Sequence, residues 1–163
     1  MKKTLIIGLG NPILTDDGVG VKVAYQLQER LNLAEHPNLT ITEASAGGLR
    51  LMEAMLGYQR VIVIDAFLLD DQKTNPGEIH RMELSDLREI SPTQHSSSAH
   101  DTSLVTALDT AEHLGYPVPA EVIIYAVEVE NILEFGEEPT PAVARAIPQV
   151  TERVLGEIGL STA

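Results

Sequence analysis

Asp17, Asp65 and His100 are the residues of this sequence best placed to do chemistry. Asp17 lies in a glycine-rich corner after the first apolar run, Asp65 directly follows the apolar run Val61 to Ile64, and His100 precedes an apolar helical stripe. Two carboxylates and one imidazole form a borderline donor set suited to zinc, nickel or a similar divalent ion, with coordination positions left open for a substrate. The chemistry such a set permits is metal-assisted hydrolysis. The chain has no cysteine, which excludes thiolate metal sites, iron–sulfur clusters, disulfides and cysteine nucleophiles.

Each residue also has an ordinary structural reading. An Asp at a helix N-terminus commonly caps the helix and complements its dipole; Asp16 is expected to do only that, and Asp17 needs a partner before a functional role follows. Asp65 could bond the amides of the loop after its strand, but strands one and three of an open α/β sheet are expected neighbours, which brings Asp65 towards Asp17. His100 follows the polar stretch Ser91–Ala99, at what reads as a helix N-terminus, where the dipole disfavours imidazolium and keeps a neutral nitrogen for a metal. His95 competes with it, whereas His36, His80 and His113 read as exposed positions on a turn, a strand and a helix. Glu128, after the last buried strand, is a weaker candidate for general acid or substrate grip, with solvent exposure the favoured reading.

The corner that carries Asp17, Gly8 to Gly20, has two other readings. A dinucleotide fingerprint requires GxGxxG, but its third glycine position holds Ile13, and two carboxylates stand where a pyrophosphate needs backbone amides. Gly8-Leu9-Gly10-Asn11-Pro12 is similar to the opening of peptidyl-tRNA hydrolases, but that family continues with an Arg-His-Asn segment and carries a basic tRNA-binding face. Here Thr15-Asp16-Asp17 follows, and 11 Lys and Arg against 24 Asp and Glu give a net charge of −13, which repels nucleic-acid phosphates.

The elements that must position these residues follow from the apolar pattern. Leu5–Ile7, Val61–Ile64 and Val122–Val127 are continuous, β-branched runs of the kind buried on both faces of a sheet. Leu39–Thr42 and Glu78–Met82 alternate, as strands nearer an edge do. Val19, Val23, Leu27 and Leu31, then Leu104, Leu108 and Ala111, then Val143, Ile147, Val150 and Val154 recur at helical spacing, and a shorter helix is expected over Leu49–Met55. Thr140-Pro141 is a good helix start, and Pro148 is expected to kink or restart that helix. The alternation predicts an α/β fold, a three-layer αβα sandwich with a largely parallel twisted sheet of about five strands and helices on both faces. Ligands of such sheets meet the loops at the carboxyl ends of the strands.

At 163 residues the chain is expected to form one domain, 1–163, burying about two-thirds of the surface its unfolded form exposes. A 44% hydrophobic content fits a globule. No apolar run is long enough for a membrane span, and the opening run is interrupted by Gly8 and Gly10, so neither membrane nor signal peptide is expected and the cytoplasm is the expected location.

The chain resembles the nickel–iron hydrogenase maturation proteases over essentially its full length. GLGNPILTDDGVGV looks like that family's GxGNxLxxDDGxG signature, VIVIDAF is similar to its second motif, and Ala99–Leu104 sits where its histidine begins a helix. By that resemblance Asp17, Asp65 and His100 carry over as the catalytic, metal-contacting triad, the first position being Glu in some members; Asp16 does not carry over as a ligand. Ala126–Glu130 and Leu133–Pro141 also resemble the family's ending, but Glu43–Gly48 departs from the Gly-Gly-Thr stretch common after strand two, which leaves the hydrogenase served open. The resemblance implies one cut in the large-subunit precursor, just beyond a His or Arg that closely follows its last metal-binding cysteine pair. The implied partner is that precursor, the substrate of a monomeric protease; the implied metal is nickel carried by the precursor, with zinc or cadmium able to occupy the same ligands. A metal-polarised carbonyl or metal-activated water would supply the attack, with one carboxylate moving the proton. A chaperone-like protein that binds the same precursor without cutting it shares every one of these features.

Overall fold

The computed structural model describes residues 1–45, 48–68, 74–89 and 99–160, with 87–89 and 99–103 described in backbone only. Five strands, β1 (Thr4–Leu9), β2 (Leu39–Ala44), β3 (Arg60–Phe67), β4 (Ile79–Glu83) and β5 (Glu121–Glu128), form one sheet in the order β2-β1-β3-β5-β4. β2, β1, β3 and β5 run parallel, and β4 pairs antiparallel with β5. The continuous apolar runs occupy the three central positions and the alternating ones the two edges, because only central strands are covered on both faces.

The described residues also form five α-helices, α1 (Val19–Arg30), α2 (Gly48–Met55), α3 (Leu84–Glu89), α4 (Ala99–His113) and α5 (Pro141–Glu157). Strand residues alternate between two cores. Ile6, Ile62, Ile64, Tyr125 and Val127 pack with Val23 and Leu27 of α1 and Val143, Val150 and Val154 of α5. Leu5, Ile7, Val61, Val63 and Ile124 pack on the other face with Leu51 and Met55 of α2 and Leu104 and Leu108 of α4. The expected three-layer αβα sandwich is therefore the observed one.

Two local expectations change. α3 has no apolar period to announce it, but Asp86 accepts a 2.7 Å hydrogen bond from the Glu83 amide, half of a capping box. Pro148 does not restart the last helix: α5 runs unbroken from Pro141 to Glu157. Pro148 and Ala144, whose carbonyl loses its helical donor, are both exposed, so water can serve that carbonyl. The buried stripe Val143, Ala146, Val150 and Val154 holds both halves on the sheet.

At the amino-terminal end of the central strands, Glu157 accepts from Arg60 at 2.9 Å, from Arg81 at 2.9 Å and from the Tyr125 hydroxyl. Arg81 above all, with Tyr125 and Arg60 helping, holds the Glu157 carboxyl at about 2, and burial with the Glu157 contact pushes Tyr125 up to about 12. A carboxyl depressed on folding stabilises the protein above its ordinary pKa, and that contribution is lost as pH falls from about 4.5 towards 2. Glu157→Gln should cost on the order of 3 kcal/mol in urea unfolding at pH 7, and the difference from wild type should shrink towards zero near pH 2. A difference independent of pH would contradict this reading.

Candidate active site at the carboxyl ends of the strands

β1 ends at Leu9, and the chain folds tightly before entering α1. The Asn11 amide donates to Asp17 Oδ2 at 2.9 Å, Leu14 N donates to Asn11 O at 3.2 Å, and Asp17 N donates to Leu14 O at 3.1 Å. Two glycines permit the approach. Gly10 has φ +138°, and a Cβ there would lie 2.0 Å from the Asp17 carbonyl oxygen; a Cβ on Gly20 would lie 2.1 Å from the Ile64 carbonyl oxygen. The glycines thus let the corner close on itself and let the start of α1 lie flat against β3, with no phosphate needed to explain them. Asp17 is half-buried.

Asp65 is 3% exposed. β1 and β3 are neighbours as expected, with Gly8 level with Ile64, and β3 touches the 3-10 turn Thr15–Gly18 that carries Asp17. The strand does not end at Asp65, however: it continues to Phe67, still paired with β5, so Asp65 is level with Ala126 inside the sheet. Its Oδ1 accepts from the Ala66 amide at 2.8 Å. By strand alternation it faces the α2 and α4 layer, like Val61 and Val63.

His100 is the second residue of α4. The other end of that helix leads through residues 114–120 to the start of β5, so the first turn lies at the carboxyl end of the sheet, on the face of Asp65. The side chain of His100, together with His95 and Ser91–Ser98, lies outside the described residues. The Asp17 corner, Asp65 and the backbone of His100 thus share one rim. A cleft of about 290 Å³ opens beside it, lined by Gly10, Pro12, Val21, Glu43, Ala44 and Ser45.

Asp16 does not cap its own helix. It is fully buried and accepts from Glu130 N at 3.2 Å, Asn131 N at 3.1 Å, Thr140 N at 2.7 Å and the Thr140 hydroxyl at 2.9 Å. Thr140 accordingly makes no side-chain cap to α5; its hydroxyl is given to Asp16. Asp16 clasps the loop after β5 to the corner that carries Asp17. Thr15, at φ +51°, adds bonds from its amide to Gly136 O at 3.0 Å and from its hydroxyl to Glu134 O at 2.6 Å. These offset a backbone conformation that is costly for a β-branched residue.

Glu128 is not a solvated residue either: it is 2% exposed, and His80 is half-buried with Nε2 3.3 Å from Glu128 Oε2. With Glu78 they bring three ligating atoms within 4.8 Å of one another, the one such metal-capable group found among the described residues. The signal was present in the strand period. Ile124, Ala126 and Glu128 share a face of β5, and antiparallel pairing sets His80 level with Ala126.

This arrangement can be compared with known proteins. The model of the HycI family, hydrogenase maturation protease, matches residues 21–157, which include Asp65 and His100 and begin after Asp17. The chain belongs to the hydrogenase maturation protease family. Among relatives of this protease, the hydrogenase 2 maturation protease of Escherichia coli is 27% identical over 156 residues, covering 96% of this chain and 90% of the relative. The structure of the hydrogenase-maturating endopeptidase HybD from E. coli superposes with a TM-score of 0.75 at 25% identity, covering 98% of this chain and 93% of the other. The [NiFe] hydrogenase maturation protease HybD from Thermococcus kodakarensis gives 0.68 at 25% identity, covering 96% and 99%. The maturation protease described here is accordingly a peptide-bond hydrolase on an α/β fold. Among its described residues no helix is long and apolar enough to cross a membrane.

Proposed function

We propose that this protease removes the C-terminal extension of a nickel–iron hydrogenase large-subunit precursor in the cytoplasm, as a monomer, and that it recognises the nickel already held by that precursor. The observation that carries the reading is the shared rim: the Asp17 corner, the buried Asp65 and the first turn of α4 with His100 meet at the carboxyl ends of adjoining strands in a member of this family. Asp65 presents a buried carboxylate at this rim, a donor type that suits a metal delivered with the substrate. Asp17, Asp65 and His100 are the groups assigned to engage that metal, and zinc or cadmium suits the same donors. One of the two carboxylates moves the proton when the peptide bond is hydrolysed.

The direct test is to incubate the purified protein with nickel-loaded precursor from the same organism and read intact masses. Loss of a single C-terminal peptide is expected. An unchanged mass, with a precursor that another maturation protease does process, would sink the reading and favour a protein that binds the precursor without cutting it.

A further inference from the structure

We propose that Glu78, His80 and Glu128 form a second metal site, sharing no ligand with the Asp17, Asp65 and His100 rim although His80 and Asp65 flank Ala126 on one sheet face, that takes a divalent ion favouring imidazole and carboxylate donors, with zinc as its representative. This inference does not rest on the protease reading. The three ligating atoms already lie within 4.8 Å of one another. A zinc ion with bonds of about 2.0–2.2 Å holds tetrahedral ligands about 3.3–3.6 Å apart, so closure takes a shift of about 1 Å. Glu78 is exposed, its carboxylate held by Asn75 Nδ2 at 3.1 Å, a bond that the shift would exchange for the metal, and it leaves the site open to solvent on one side.

The remaining ligands are held in advance. Glu128 N donates to Glu78 O at 2.9 Å and Gly77 N to Glu128 O at 2.8 Å, fixing the two Glu backbones against each other. The Phe67 ring is tilted against the His80 ring at 6.1 Å between centroids. Preorganised ligands of this kind lower the cost of binding.

The pairing of the buried Glu128 carboxylate with His80, at 3.3 Å between Oε2 and Nε2, is not a well-aligned hydrogen bond. Glu128 Oε2 and His80 Nε2 are both buried atoms without a hydrogen-bond partner, aimed at each other. Asp16, equally buried, is met by four donors. Burial pushes the Glu128 carboxyl up, against the pull of His80, while Asn75 and then Glu128 hold Glu78 down. A divalent ion bound by the three side chains would pin the edge strand β4 to β5.

Zinc titration of the full-length protein, followed through the imidazole nitrogen signals of its five histidines, tests the proposal. The His80 ring nitrogens should shift at equimolar zinc, whether or not His100 shifts as well. Glu128→Gln should weaken the zinc effect at His80 by at least about 10-fold; Glu78→Gln, at an exposed position, serves if the buried variant does not fold. No movement of His80, or the same zinc affinity at His80 in both variants, would overturn the second site.

Discussion

Asp65→Asn is expected to lower the rate of precursor cleavage by about 10²–10⁴-fold, the usual loss when a positioned acid–base group is removed. Asn keeps the shape of Asp65 and an oxygen able to accept from the Ala66 amide at the same 2.8 Å position, so the fold should survive. What disappears is a negative charge at a site that is 3% exposed, level with Ala126 near the carboxyl end of β5. Asp17→Asn should lose activity to a similar extent, because an Asn oxygen can still accept from Asn11 N while offering no charge to a metal. Single-turnover cleavage beside a thermal melt separates the two quantities. Near-wild-type cleavage by either variant would remove that residue from the catalytic assignment.

Asp16→Ala should behave in the opposite way, with a loss of stability of about 3–5 kcal/mol. The change strands the amides of Glu130, Asn131 and Thr140, all of which donate to Asp16 in a site with no exposure. It also releases the loop that holds Thr15 at positive φ. Urea unfolding with circular dichroism is the check, and a midpoint near that of the wild type would show the clasp to be dispensable. Adjacent carboxylates thus divide the work: Asp16 secures the corner, and Asp17 is presented by it.

That division shows where sequence reading stops. The apolar runs Val61–Ile64 and Val122–Val127 announced buried central strands because a strand covered on both faces has no polar alternate. Leu39–Thr42 and Glu78–Met82 announced edges for the converse reason. The pairing of β1 with β3, which brings the Asp17 corner to Asp65, also followed from the βαβ pattern. The partners of Asp16 lie more than a hundred residues away in the chain, beyond any local spacing rule. His80 and Glu128 looked exposed because the antiparallel fold-back of β4 on β5, which brings them face to face, leaves no trace in the composition of either strand. Pro148 does not restart the helix because the sheet contacts on both sides of it hold both halves in place.

Dependence on the metal carried by the precursor is the central claim, and one comparison tests it most directly. The same precursor, prepared nickel-loaded and nickel-free, is treated with equal amounts of the protease and read by intact mass over time. Loss of one C-terminal peptide from the loaded form alone is the predicted result. Equal cleavage of both forms would contradict recognition of nickel through Asp17, Asp65 and His100.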